Sequence, residues 1–286
     1  MTAMRTPVCE LLGIEQPIVL APMVAVPRLA AAVSNAGALG MLTLTWSDDV
    51  GAVVRETAAL TARPFCGNLV LTEDRHRRLD QALDAGLRIV SFFMGDPSGY
   101  VQRVHDAGGI VMHTVGTAEE ARRAVASGVD VVVAQGWEAG GHVWGTVATL
   151  PLVPAVVDAV TPVPVIAAGG IGDARGVAAV LALGAQAAWL GTRFLLAEEM
   201  PIPRGLPDRA DSRSRDRFAT VRQPVLGRVA RLSPPGAPQL NLRRVAGRGP
   251  PAARAAARSG RRDRALRFRR VNPPVRAGAA DGRDHR

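Results

Sequence analysis

The stretch Val163–Leu190, VPVIAAGGIGDARGVAAVLALGAQAAWL, contains one strand–helix–strand unit. Its two apolar runs, Val163–Ala168 and Gln186–Leu190, are too short for helices and have the character of buried strands. The segment between them has helical spacing, and Gly184 stands where a helix can end in a left-handed residue. Strands joined by a single helix run parallel through a right-handed crossover, so this stretch predicts part of a parallel sheet.

The same unit recurs from the N-terminus onward. Six earlier runs bring the number of predicted strands to eight, and most of the strands begin 19 to 26 residues apart. Eight such units close most economically into an α/β fold of the (β/α)8 TIM-barrel type, and a doubly wound open sheet is the alternative. The six earlier runs are Ile18–Leu20, Leu39–Leu44, Phe65–Leu71, Arg88–Phe93, Ile110–Val115 and Val129–Ala134, and glycines predicted to end helices are Gly37, Gly86, Gly108 and Gly128.

Charge is distributed unevenly along the chain. The formal net charge is +10, yet residues 1–203 hold 13 Arg against 19 acidic residues, whereas residues 204–286 hold 22 Arg against 6. The second region is dense in Arg, Pro, Gly and Ala and has little periodicity, which is typical of low-complexity disorder. We therefore predict a TIM-barrel domain at 1–203 and an irregular, disordered basic tail at 204–286.

The tail has two explanations. An out-of-frame reading of a GC-rich gene would yield this composition, and the absence of Lys from the chain agrees with a high GC content. We hypothesise that residues 204–286 arise from such a frameshift. The alternative is a basic arm that binds RNA or a protein partner.

Composition excludes several classes of protein. The mean hydropathy is +0.11, and no apolar run approaches the length of about 20 residues that a membrane span requires. With no export signal in the N-terminal sequence, we expect a soluble cytoplasmic protein. Cys9 and Cys66 form neither a metal cluster nor a disulfide framework, and their apolar neighbours predict reduced, buried thiols. Without Lys, Schiff-base chemistry and a phosphate-binding P-loop are excluded.

One interval between strands is longer than the others and is unusual in composition. The sixth and seventh runs begin 34 residues apart, and the excess, Gln135–Gly145, follows the sixth strand on the catalytic face of a barrel. Four glycines surround Glu138 and His142 there, so the backbone can bend and approach a ligand closely while presenting an imidazole side chain to it. This composition suits a general base; the alternative is a flexible loop with an incidental histidine.

The last two predicted strands end in glycine-rich segments, Ala167–Asp173 and Trp189–Arg193. In TIM barrels the loops after strands seven and eight often bind phosphate through glycine amides and a helix N-terminus. Each loop alone could be an ordinary turn, but together they predict a phosphate site.

The first and third strands offer candidates for contact with a flat ring. Strand one ends in Ala21, Pro22 and Met23, in which the proline stiffens the strand exit and the methionine is polarisable. Asn68 can both donate and accept hydrogen bonds. The alternative for each residue is ordinary packing. His113, which lies near the end of strand five, is a weaker candidate for a site residue.

Several of these segments together resemble the nitronate monooxygenases, formerly called 2-nitropropane dioxygenases. The likeness covers about residues 6–200, and its most specific part is the Glu-Ala-Gly-Gly-His sequence that ends at His142. The segments that carry the resemblance are Pro17–Met23, Leu29–Gly37, Gly67–Leu69, Gln135–His142 and the two phosphate loops.

The resemblance implies an oxidoreductase with non-covalently bound FMN. His142 would act as base toward a nitroalkane or lie beside the nitronate, and O2 would take up the electrons, releasing a carbonyl compound and nitrite. The resemblance implies that Pro22, Met23 and Asn68 lie near the isoalloxazine ring of the flavin. Further residues implied to bind the cofactor are Ala21, Gln135, Gly140 and Gly141, and those implied to hold the phosphate are Gly169, Gly170, Trp189, Leu190, Gly191 and Thr192.

Two other functions remain open. Flavin-dependent enoyl-acyl-carrier-protein reductases and NADH:quinone reductases resemble the same barrel, but they tend to have Gly-Gly-Met where this chain has Ala21, Pro22 and Met23. That difference favours the monooxygenase. A function of another class is a non-catalytic protein that binds nucleic acid through the basic tail, which strong salt dependence would reveal.

Overall fold

The computed structural model describes residues 5–201 of the 286-residue chain. The predicted domain boundary at 203, the expected disorder of the tail and its proposed frameshift origin lie outside these residues.

Strands and helices alternate throughout this part of the chain. The strands are β1 (Ile18–Leu20), β2 (Gly40–Thr43), β3 (Phe65–Val70), β4 (Ile89–Phe93), β5 (Ile110–Val115), β6 (Val131–Gln135), β7 (Val165–Ala168) and β8 (Ala187–Leu190). The helices are α1 (Pro7–Leu12), α2 (Pro27–Asn35), α3 (Val50–Leu60), α4 (His76–Asp84), α5 (Ser98–Asp106), α6 (Ala118–Ala126), α7 (Thr149–Val160), α8 (Ala174–Ala182) and a short 3-10 helix, Thr192–Leu196. Seven of the eight predicted apolar runs contain one of these strands, and β6 extends one residue beyond the predicted run Val129–Ala134.

The eight strands form a closed parallel barrel. Neighbours in the sheet follow chain order from β2 to β8, and β8 pairs with β1. The ring closes between β1 and the residue before β2, because Leu20 N donates to Leu39 O at 2.9 Å and Leu39 N donates to Ile18 O at 3.0 Å. The TIM-barrel prediction is confirmed, and the open-sheet alternative is wrong because an open sheet has no such closing contact.

The strand register separates residues that face the helices from residues inside the barrel. Phe92 packs against Tyr100 of α5, with ring centroids 5.4 Å apart, so it faces the helical layer. His113 pairs with Phe92 in the register and faces the same way. Asn68 pairs with Ser91, the residue before Phe92, and therefore points into the barrel.

Local signals in the sequence explain where the helices begin and end. Asp49, Thr117 and Asp173 each accept a hydrogen bond from a backbone N–H in the first turn of the following helix. All five glycines predicted to end helices have positive φ, between 69° and 99°.

Both cysteines are buried and free, as the sequence predicts. Burial raises the pKa of the Cys66 thiol well above its usual range, although a backbone hydrogen bond at Ser91 opposes the shift.

Within residues 5–201, no helix is both long enough and apolar enough to cross a membrane.

His113 is a buried histidine of the helical layer, not of the barrel mouth. It is 7% exposed, lines a cavity of about 630 Å³ together with residues of the β4–α5 loop and α6, and its Nδ1 has no partner among the described residues. Burial lowers the pKa of His113 to about 4, against the attraction of Asp96 and Glu120.

This burial predicts a pH-dependent loss of stability. An unfolded histidine takes up a proton as the pH falls from about 6.5, whereas His113 in the folded protein resists until about pH 4. This difference between the unfolded and folded pKa corresponds to about 3 kcal/mol of folding free energy, which is fully present above pH 6.5 and is lost progressively as the pH falls below it. We expect the melting temperature of the parent protein to fall more steeply between pH 6.5 and 4 than that of His113→Leu. If the melting temperatures of the two proteins fall equally with pH, His113 is not responsible for the loss of stability.

Candidate active site

The ends of β1 and β8 lie side by side at the mouth of the barrel. Ala21 N donates to Leu190 O at 2.8 Å. A Cβ placed on Gly191 would lie 3.3 Å from the Ala21 Cβ and 3.9 Å from the Met23 sulfur. The structure thus brings together four of the residues predicted to bind the cofactor.

The β6 loop, which we define as residues 136–148, turns back sharply over the mouth. A Cβ on Gly136 would lie 2.5 Å from Thr149 N and 2.6 Å from Thr149 Cα, so only glycine fits there. Thr149 Oγ1 lies 3.0 Å from Gly169 O, and Gly169 has a φ of +106°. The start of α7 therefore contacts the turns after both β6 and β7. Thr149, which makes these contacts, is not among the residues predicted from the sequence.

Glu138 fixes this turn to α7. Its carboxylate accepts hydrogen bonds from Thr149 N at 2.9 Å and from Thr149 Oγ1 at 3.0 Å. Partial desolvation opposes the charged form, but hydrogen bonds from the Glu138 backbone and from Thr149 outweigh it and lower the pKa of Glu138. An ionised Glu138 at the start of a helix also interacts favourably with the helix dipole.

The Gln135 side chain spans the β6 loop from inside. Its Nε2 donates to His142 O at 3.1 Å, and its Oε1 accepts from Trp144 N at 3.0 Å. Both ends of the amide are engaged with the loop. Gln135 therefore positions the backbone on either side of Val143, a role that the resemblance did not imply.

His142 reaches across the mouth toward the opposite wall of the barrel. The exposed His142 ring stacks on Trp46, which follows β2 and is 63% exposed, with ring centroids 6.2 Å apart and planes inclined by 28°. In a closed eight-stranded barrel, β2 and β6 lie opposite each other. The two rings thus lie over the opening, and Trp46 is a site residue that the sequence analysis missed.

The barrel interior below the mouth is polar on the β2–β3 side. Asn68 is buried, and its Nδ2 donates to Ser91 O at 3.2 Å and lies 3.3 Å from Ser91 Oγ. Thr43, its register partner on β2, has a buried hydroxyl that makes no hydrogen bond to the described residues. An unpartnered buried hydroxyl costs free energy unless a ligand or water satisfies it. This side of the mouth is therefore suited to a ring with polar edges.

The two predicted phosphate loops present free amides. Outside the helices and the strand ladder of residues 5–201, the N–H groups of Gly169, Gly170, Gly191 and Thr192 donate no hydrogen bond. Gly169 and Gly170 have φ of +106° and +70°, which directs consecutive amides in a way that suits an anion. The β6 loop adjoins this region, because a Cβ on Gly140 would lie 3.3 Å from Thr192 Oγ1.

The N-terminus of α8 is already capped by a side chain. Asp173 Oδ1 accepts from Arg175 N at 2.9 Å and from Gly176 N at 3.2 Å. The sequence predicts a helix N-terminus at the phosphate site, but these amides of α8 are occupied by Asp173. An anion at this end of the barrel would instead contact the loop amides.

Arg193 is a half-buried cation next to these loops. Among the described residues it forms no salt bridge, and burial lowers its pKa while Asp173 opposes the shift. A desolvated guanidinium is stabilised by an anionic partner. Arg193 directly follows the glycine loop of β8, and that position is the signal by which the sequence could have identified it.

The structure does not bring every predicted residue into the same place. Pro22 is only partly buried at the rim, and Gly141, with a φ of +74°, has open space where a side chain would be. Trp189 pairs with Ala168 and faces the barrel interior, whereas Leu190 pairs with Leu20 and faces the helices. In the described part of the chain, no group of three or more His, Cys, Asp or Glu residues could hold a metal ion.

Relatives of this chain carry two kinds of name. Over 208 residues it is 42% identical to a (3aS,4S,5R,7aS)-5-hydroxy-7a-methyl-1-oxo-octahydro-1H-indene-4-carboxyl-CoA dehydrogenase of Mycobacterium tuberculosis, with 70% of this chain and 58% of the relative covered. It is 36% identical to a nitronate monooxygenase of Paraburkholderia phytofirmans, with 77% and 74% covered. The chain thus spans under two thirds of the length of the dehydrogenase.

Solved structures share the barrel. FabK from Thermotoga maritima matches with a TM-score of 0.66 at 39% identity, covering 68% of this chain and 64% of that one. A nitroalkane oxidase from Streptomyces ansochromogenes matches with a TM-score of 0.64 at 34% identity, covering 69% and 70%.

A protein-family model described as nitronate monooxygenase matches two segments that overlap by a few residues, 5–77 and 72–233. The matched segments cover well over half of the chain and include every residue of the candidate active site. The chain therefore belongs to the nitronate monooxygenase family.

Proposed function

We propose that this protein is an FMN-dependent oxidoreductase that oxidises alkyl nitronates or nitroalkanes with O2 to carbonyl compounds and nitrite. The observation that carries the proposal is the position of His142, held on a glycine-rich loop over the barrel mouth and stacked on Trp46. Family membership and the similarity to a nitroalkane oxidase support the same reaction.

The residues at the mouth fit FMN. The free amides of Gly169, Gly170, Gly191 and Thr192 and the half-buried Arg193 would hold the phosphate. Met23, Asn68 and the unpartnered Thr43 hydroxyl would contact the ring system from the β1–β3 side. When bound, FMN supplies an electron acceptor that O2 can reoxidise.

His142 is assigned the proton transfer. A neutral imidazole can accept the acidic proton on the carbon next to a nitro group. Gln135 fixes the backbone on either side of Val143, and Trp46 limits the directions that the imidazole can take. A substrate that arrives already as the anionic nitronate needs no proton removed, so this role matters only for the neutral nitroalkane.

In this proposal the other partners are the small substrate and O2. Every proposed site residue lies before residue 194, so the proposed chemistry does not require the basic segment 204–286. We also propose that the protein works in the cytoplasm.

A second candidate is a dehydrogenase acting on a CoA thioester. It is favoured by the identities of 42% and 39% to two curated dehydrogenases of such a substrate, against 36% for the Paraburkholderia nitronate monooxygenase. The same FMN site would serve, and His142 would then act on a carbon–hydrogen bond activated by a carbonyl group.

Anaerobic mixing distinguishes these functions. The purified full-length chain with FMN is mixed separately with an alkyl nitronate, a cyclic acyl-CoA thioester and NADH, and bleaching of the flavin absorbance is followed. Bleaching by the nitronate and by neither other reagent is expected. Bleaching by the thioester alone would replace the proposal with the dehydrogenase, and bleaching by NADH alone would indicate a reductase.

We expect His142→Ala to reduce turnover of a neutral nitroalkane at least 100-fold, because removal of a general base typically costs about 100-fold to 10,000-fold. Turnover of the preformed nitronate should fall much less, since no proton is removed. Oxygen consumption with both substrates provides the measurement, and His76→Ala, an exposed histidine of α4, is the matched control. Equal losses for the two substrates would contradict the base assignment.

Arg193→Gln should weaken FMN binding by about tenfold or more while leaving riboflavin binding unchanged, because only FMN carries the phosphate. Quenching of flavin fluorescence measures both affinities. Arg175→Gln is the control, since Arg175 pairs with Asp173 at the surface. A parallel loss of both flavins in Arg193→Gln would show that Arg193 does not contact the phosphate.

A further inference from the structure

Glu120 connects α6 to the β6 loop. It is the third residue of α6, where the Thr117 side chain caps the helix by accepting from Glu120 N at 3.1 Å. Its Oε2 accepts from Gly116 N at 2.8 Å, in the loop before the helix. Its Oε1 accepts from the Trp144 indole Nε1 at 3.0 Å. The Glu120 carboxylate therefore binds the loop before α6 with one oxygen and the β6 loop with the other.

The two loops also touch backbone to backbone. A Cβ on Gly116 would lie 2.5 Å from Gly145 Cα, and a Cβ on Gly145 would lie 2.6 Å from Gly116 Cα. No side chain fits at either position, so the contact depends on both glycines. This close approach brings the Trp144 indole within reach of Glu120.

Trp144 is held from the other side by Gln135. Trp144 N donates to Gln135 Oε1 at 3.0 Å, and Gln135 Nε2 donates to His142 O at 3.1 Å. Glu120 on the indole and Gln135 on the backbone thus clamp Trp144 between α6 and β6. His142 lies only two residues from this clamp, on a loop rich in glycine that has little stiffness of its own.

We propose that Glu120, acting through Trp144, is a positioning residue that fixes the β6 loop and so the place of His142 over the mouth. Its role in turnover rests on the proposed function, whereas its effect on the loop can be measured without substrate. The carboxylate form is required because each oxygen accepts from a different N–H donor. A glutamine offers one acceptor oxygen and a donor NH2 group, so Glu120→Gln must lose one of the two hydrogen bonds.

The chain offers matched controls. Glu119 is exposed and pairs with Arg122 on the surface of the same helix, so Glu119→Gln changes the same charge without touching the loop. Trp137 is an exposed tryptophan of the same β6 loop, and its indole makes no hydrogen bond to the described residues. Trp144→Phe removes the indole N–H and keeps an aromatic ring, and Trp137→Phe makes the same exchange at the control position.

Hydrogen exchange followed by mass spectrometry measures the loop directly. Four amides of the β6 loop, Gly136 N, Trp137 N, Ala139 N and Trp144 N, are hydrogen bonded, so the loop has protection against exchange to lose. We expect these amides to exchange about tenfold faster in Glu120→Gln and in Trp144→Phe, with α7 unchanged. The double variant should be no faster than the faster of the two single variants, because Glu120 is proposed to act on the loop through the Trp144 indole. Exchange in Glu119→Gln and Trp137→Phe should match the parent protein.

Kinetics provide the second readout. In Glu120→Gln we expect kcat for the neutral nitroalkane to fall about tenfold, with KM and FMN affinity nearly unchanged, because the catalytic group is displaced and the cofactor site is intact. Unchanged exchange of the β6 loop in both Glu120→Gln and Trp144→Phe would overturn the inference. If none of the proteins oxidises nitroalkanes but the exchange pattern holds, the proposed function fails and the positioning of the loop stands.

Discussion

The arrangement of the mouth depends on the close packing of Gly136 and Gly169 around Thr149. The absence of a Cβ at Gly136 lets the chain leave β6 directly against the backbone of α7, and the positive φ of Gly169 turns the β7 loop beneath it. Glu138 then fixes the turn by accepting from the Thr149 amide and hydroxyl. With this turn set, the β6 loop runs back over the barrel instead of outward into solvent. His142 is thereby held over the end of the barrel that carries the glycine amides of the β7 and β8 loops.

Most of the fold was predictable because its signals are local. Each strand is a short apolar run, each crossover is one helix, and caps such as Asp173 and terminal glycines such as Gly184 mark the ends. Parallel strands that follow one another in chain order are compatible with few sheet topologies, and eight such strands can close into a barrel. The grouping of the candidate site residues at one end of the barrel was predictable for the same reason, since loops after parallel strands share one face.

Contacts between distant loops were not predictable from the sequence. The stacking of Trp46 on His142, the bond from Trp144 to Glu120 and the role of Thr149 each join segments that are far apart in the chain or in different loops. Their geometry depends on the closed barrel, and no local pattern encodes it. His113 shows a second limit of the sequence. One step in strand register decides whether a side chain near the end of a strand faces the mouth or the helices, and in the structure His113 faces the helices.

The most direct test of the account is a crystal structure of the full-length chain grown with FMN. The account predicts the phosphate on the amides of Gly169, Gly170, Gly191 and Thr192 beside Arg193, and the ring system between Asn68 and His142. A phosphate bound at another end of the barrel, or a ring that lies away from His142, would contradict the assignment of this mouth as the flavin site.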